Sequence, residues 1–129
     1  MAEPHTGSAM GREIAEIPTA AERLLANTDV IAAIAARIER AKPRIVVFCG
    51  RGSSGHVGIY LRYLFEARLG ILASAAAPSV VTAYRRPPEM RDALFVVISQ
   101  SGRSPDLVNP TQVARKHGAL TLAIVNDAD

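Results

Sequence analysis

Apolar positions change period along this chain. Helical spacing occupies the first third, and short continuous apolar runs punctuated by glycine, serine and proline occupy the rest. Met10, Ile14 and Ile17, then Leu24 and Leu25, recur at the interval of one helix face. Pro18 interrupts that series, since proline lacks the N–H a helix interior needs and crowds the carbonyl of the preceding turn. The pattern predicts a short helix, a second helix started by Pro18, and a connection near Asn27 to Asp29. A further helix over 29–41 places Ile31, Ile34, Ala35 and Ile38 on one face, with Asn27 or Thr28 available as its cap and Pro43 suited to its end.

From Arg44 onward the pattern is that of strands alternating with helices. Arg44 to Cys49 holds a continuous apolar run, which marks a strand buried on both faces. A helix over Ser54 to Leu69 follows, stopped by Gly70 in a favoured post-helical position, and Ile71 to Ala75 forms a weaker strand. Ser79 to Arg86 allows a turn or two of helix before Pro87-Pro88. Ala93 to Ile98 is the clearest strand. Ser104-Pro105-Asp106 has the order of N-cap, first-turn proline and first-turn acid, opening a helix to about Lys116 with Gly118 beyond it. Leu120 to Val125 forms a fourth strand. The organisation expected is a disordered segment over 1–9, a helical segment over 10–43 and an α/β unit over 44–129.

Strand–helix alternation implies crossover connections and a parallel sheet flanked by helices on both faces, a three-layer, flavodoxin-like α/β fold. In the strand order 2-1-3-4-5 the switch point falls between the first and third strands, where ligands sit beyond the strand C-termini. Composition agrees with this architecture. The 129 residues suffice for one domain, and with 49% hydrophobic but only 5% aromatic residues the core must be built from Ala, Val, Ile and Leu. The net charge of +3 is carried by scattered arginines such as Arg51, Arg62, Arg85, Arg86 and Arg103, without the clustered basic face and stacking aromatics of a nucleic-acid binder. Cys49 is the sole cysteine, so an internal disulfide and a cysteine-based zinc site are excluded. No apolar stretch suits a bilayer and no signal-peptide core is present, so a cytoplasmic location without membrane attachment is expected.

Candidate chemistry lies in two turns. Gly50-Arg51-Gly52-Ser53-Ser54-Gly55 follows the first strand, and Ser99-Gln100-Ser101-Gly102-Arg103-Ser104 follows the third. Each opens a helix, so hydroxyls, backbone N–H groups and the positive helix ends converge on one crevice, a combination suited to phosphate. The first turn satisfies G-x-G-x-x-G, yet Ile71 to Val81 contains no Asp or Glu to hold a ribose, which argues against a dinucleotide. No Gly-Lys-Ser or Gly-Lys-Thr occurs, so a Walker loop is excluded. The competing reading is that these serines only cap helices. His56 reads as a helix-turn packing element and Cys49 as buried filler, and neither a metal nor a cofactor is called for.

These motifs resemble the SIS (sugar isomerase) phosphosugar-binding domains. Met10-Gly11-Arg12-Glu13-Ile14-Ala15-Glu16-Ile17-Pro18 is similar to the opening of the isomerase half of glucosamine-6-phosphate synthase and its relatives. Gly50 to His56, Arg62-Tyr63-Leu64-Phe65-Glu66 and Ser99-Gln100-Ser101-Gly102 continue the likeness in order. The resemblance implies a sugar-phosphate ligand of the fructose 6-phosphate or glucosamine 6-phosphate type. It assigns Ser99, Gln100, Ser101 and Ser104 to the phosphate, with Gly52, Ser53 and Ser54 contacting the ligand from the first turn. Ser104 stands where the synthase has threonine, and Arg103 replaces its glutamate. The resemblance further implies a homo-oligomer, a dimer, and a catalytic second SIS domain whose residues this chain does not contain, so no catalytic residue is assigned and the α/β unit is expected to be truncated at its C-terminal end. Two functions follow as expectations: the first half of a fructose-6-phosphate aminotransferase, isomerase or deaminase-like enzyme, and a non-catalytic sugar-phosphate-sensing module.

Overall fold

The chain alternates helices and strands in the order set by those apolar runs, and the computed structural model describes residues 7–126. Two compact units lie within residues 1–37 and 38–129. In the first, α1 (Ala9–Ala26) is an amphipathic helix capped by Ser8, whose side chain accepts the Gly11 N–H at 3.0 Å. It runs unbroken through Pro18, where two shorter helices were expected. Strong helix formers on both sides, such as Ala15, Glu16, Ala20, Ala21 and Glu22, carry the helix across the one hydrogen bond that proline deletes. The disorder expected over 1–9 lies, for residues 1–6, outside the described residues. α2 (Thr28–Ala41) follows after Asn27.

The second unit holds a four-stranded parallel sheet made of β1 (Ile45–Gly50), β2 (Leu72–Ala75), β3 (Ala93–Ser99) and β4 (Leu120–Val125). The order is β2-β1-β3-β4, which places the switch point between β1 and β3 as expected. Register aligns Gly50 with Ile98 and Ser99 with Val125, so β1, β3 and β4 end side by side. Period-2 alternation sends Val47, Cys49, Phe95 and Val97 to one face, packed with Leu107 and Ala114 of α5 (Pro105–Lys116). Val46, Phe48, Leu94, Val96 and Ile98 occupy the other face and pack with Leu61 of α3 (Ser53–Leu64), with Phe65 and with Ile38. Every residue of β3 is buried, the signature of a central strand in a three-layer α/β fold. A short α4 (Pro78–Thr82) stands beside α5.

A second element departs from its expected form. α3 stops at Leu64 and continues as a π-helical turn, Phe65–Leu69, before Gly70 closes it in the left-handed conformation. The wider turn sets the Phe65 ring edge-on to Phe48, with centroids 5.5 Å apart. It also presents Glu66, whose Oε1 accepts the Ala73 N–H of edge strand β2 at 3.2 Å.

Candidate functional site

The β1–α3 turn is built around two glycines. Gly50 ends β1 directly beneath the first turn of α3, and a Cβ there would stand 2.9 Å from the carbonyl carbon and oxygen of Ser54. Gly52 has φ 54° and ψ −130°, a backbone that side chains disfavour, and it occupies the N-cap position of α3. That cap supplies no side-chain hydrogen bond. Ser53 begins α3 on the exposed surface and Ser54 is half-buried. His56 makes a 3.0 Å hydrogen bond between Nδ1 and the Gly52 carbonyl, so it braces the turn, as its helix-turn reading anticipated.

The β3–α5 turn is tied by its own serines. Ser99 is buried at the end of β3, and its Oγ accepts the Gly102 N–H at 3.1 Å. Ser101 Oγ accepts the Arg103 N–H at 3.3 Å, and the exposed Gln100 receives the Asn126 N–H on its carbonyl at 3.3 Å. Ser104 sits at the N-cap of α5, and its carbonyl accepts the Leu107 and Val108 N–H groups at 2.9 Å. Its side chain makes no capping hydrogen bond, contrary to the capping role that the Ser-Pro-Asp order suggests. Pro105, whose ring fixes a helical φ without needing a partner, starts α5 in place of a side-chain cap.

An ion pair that sequence reasoning missed spans the two turns. Arg51 Nη1 lies 3.0 Å from Asp106 Oδ2, joining the β1–α3 turn to the first turn of α5. Asp106 reads from sequence only as an acid suited to a helix start. Its partner is legible once the strand order puts both turns at one sheet edge. The pair reaches the buried end of β1, where burial pushes the Cys49 thiol from 9.0 to about 11, with Asp106 adding to the rise and Arg51 opposing it.

A raised thiol pKa means that the folded state holds this proton more tightly than the unfolded chain. The associated stability is complete below about pH 9 and is lost as pH rises towards 11. Urea midpoints measured across that range are expected to fall less for Cys49→Ala than for the parent chain, and equal slopes would refute the assignment.

Two cavities flank α5. The larger, of about 370 Å³, lies between β1, β3, α4 and α5 and is lined by apolar groups such as Val47, Val80, Met90 and Phe95, with Glu89 as its charged residue. Such a lining disfavours an anion. The smaller, of about 170 Å³, opens beside Ser99 and Gly102.

A parallel sheet of this order, with serine-bearing turns on both sides of its switch point, has the architecture in which α/β domains bind ligands beyond the strand C-termini. The family model of the SIS domain matches residues 37–129, and the chain belongs to that family. It is 36% identical over 81 residues to the glutamine–fructose-6-phosphate aminotransferase (isomerizing) of Campylobacter jejuni, covering 63% of this chain and 13% of the relative. The enzyme of the same name from Bradyrhizobium diazoefficiens is 34% identical over 126 residues, covering 91% of this chain and 20% of the relative. A crystal structure of a Silicibacter pomeroyi DSS-3 protein, assigned as a phosphosugar isomerase, superposes with TM-score 0.86 at 42% identity, over 91% of this chain and 36% of that one. The chain therefore spans a minor part of each relative. Among the described residues no helix is long and apolar enough to cross a membrane.

Proposed function

We propose that the crevice between β1 and β3 binds a sugar phosphate. In this reading Ser99, Gln100, Ser101 and Ser104 hold the phosphate, and Gly52, Ser53 and Ser54 contact the ligand from the facing turn. The observation that carries the reading is the meeting of two helix starts: α3 and α5 both begin at the switch point, and Ser104, the N-cap of α5, makes no side-chain hydrogen bond to its own helix. A serine serving only as a cap would fill that role itself. Positive helix ends left in this way suit an anion, and the hydroxyls add charge-assisted donors. Membership of the SIS family and the relatives' names support a phosphosugar as the ligand.

The chain then acts as the first SIS half of a fructose-6-phosphate aminotransferase-like, aldose–ketose isomerase-like or deaminase-like cytoplasmic enzyme. Its residues bind and orient the substrate, and a second SIS domain supplies the catalytic groups. A homodimer fits the exposed apolar side chains of α3 and β2, among them Tyr60, Tyr63 and Leu72.

Thermal unfolding tests the reading. Fructose 6-phosphate or glucosamine 6-phosphate at ten times its dissociation constant is expected to stabilise the fold by about 1.4 kcal/mol, with inorganic phosphate weaker and NAD without effect. A response to NAD and to none of the phosphate esters would overturn it.

A further inference from the structure

We infer that Arg51 is a positioning residue of this site: by neutralising Asp106 it frees the start of α5 for a dianionic ligand. The inference rests on the phosphosugar reading and adds a residue to which that reading gives no role.

Asp106 lies in the first turn of α5, directly after Pro105. A carboxylate there is attracted by the positive helix end, and a ligand phosphate at Ser99 to Ser104 would be attracted by the same end. Two anions at one helix terminus oppose each other, and a phosphate monoester carries close to two charges near neutrality. Left alone, Asp106 would weaken the site that its own helix helps to form. Arg51 Nη1, 3.0 Å from Asp106 Oδ2, removes that conflict by leaving the pair with no net charge. The planar guanidinium also approaches from the opposite wall, because Arg51 follows Gly50 at the end of β1 while Asp106 follows β3. The pair therefore spans the switch point.

The side chains are 66% and 44% exposed, so the bridge contributes little to folding stability and its consequence falls on binding. That separation of effects distinguishes positioning from a purely structural role.

Isothermal titration of the full chain with fructose 6-phosphate and with inorganic phosphate, alongside urea unfolding, tests the inference. Arg51→Gln is expected to weaken binding of both ligands about tenfold, equivalent to about 1.4 kcal/mol, with the urea midpoint nearly unchanged. Asp106→Asn alone is expected to bind at least as tightly as the parent. The double variant Arg51→Gln/Asp106→Asn is expected to return to within about threefold of the parent, a coupling of the usual size for interacting sites. Arg51→Lys, which keeps the charge, is expected to retain most of the affinity.

A double variant as weak as Arg51→Gln would overturn the inference and make Arg51 a direct ligand contact. Parent-like binding by Arg51→Gln would make the pair a bystander, and weaker binding by Asp106→Asn would also count against neutralisation. If the parent binds neither ligand, the phosphosugar reading itself falls and takes this inference with it.

Discussion

Gly50→Ala is expected to destabilise the α/β unit by about 3 kcal/mol, at the upper end of the range for overpacked sites, and to abolish sugar-phosphate binding. The added Cβ would stand 2.9 Å from both the carbonyl carbon and oxygen of Ser54 and 3.1 Å from the Gly55 nitrogen. All three are backbone atoms of the first turn of α3, so no flexible side chain can swing away. β1 cannot retreat, because it pairs with β2 on one side and β3 on the other, in a register that holds Gly50 against Ile98. The helix start must move instead, and it carries Ser53 and Ser54 with it. Urea unfolding and ligand titration on one preparation measure both effects. A variant that kept parental stability and affinity would show that the turn does not depend on this close approach.

Gly52 makes a useful contrast within the same turn. A Cβ there meets nothing within 4 Å, so the cost of Gly52→Ala comes from its positive φ alone, on the order of 1 to 3 kcal/mol. Steric conflict and backbone strain thus separate at neighbouring glycines.

Much of this architecture was legible in the residues because several signals agreed. The apolar run ending at Ile98 has no polar position, the pattern of a strand covered on both faces, and β3 is buried throughout. Proline and glycine punctuation bounded α5 correctly, since Pro105 and Gly118 act through local backbone geometry. Pro18 shows where local reasoning fails: one missing hydrogen bond did not end α1, because strong helix formers such as Ala15, Glu16, Ala20 and Ala21 flank it. The π-helical turn at Phe65 was illegible for a different reason. Its geometry answers to the Phe48 ring and to the Ala73 N–H, both set by tertiary packing. At the site, residue types and spacing marked both serine turns, and strand order brought them to one edge. The Arg51–Asp106 pair escaped notice because an arginine after a strand and an acid at a helix start each have an ordinary local explanation.

In the proposed site, a turn-building role and a phosphate-binding role would fall on one atom, Ser99 Oγ. Ser99 is the last residue of β3, only 7% exposed, and its Oγ accepts the Gly102 N–H at 3.1 Å. That bond uses an oxygen lone pair and leaves the hydroxyl proton to donate to a phosphate oxygen. Hydrogen bonds to charged groups contribute about 1.5 to 3 kcal/mol, so Ser99→Ala is expected to weaken fructose 6-phosphate binding by roughly tenfold to a hundredfold. Folding stability is expected to fall by only about 1 kcal/mol, the typical net value of a neutral hydrogen bond. Ser101→Ala, at an exposed position whose Oγ receives only the Arg103 N–H, is expected to cost less on both scales. Titration calorimetry against urea unfolding resolves the two contributions. Unchanged affinity with reduced stability in Ser99→Ala would confine this hydroxyl to holding the turn, and the phosphate would then have to be gripped from Ser101, Ser104 and the backbone alone.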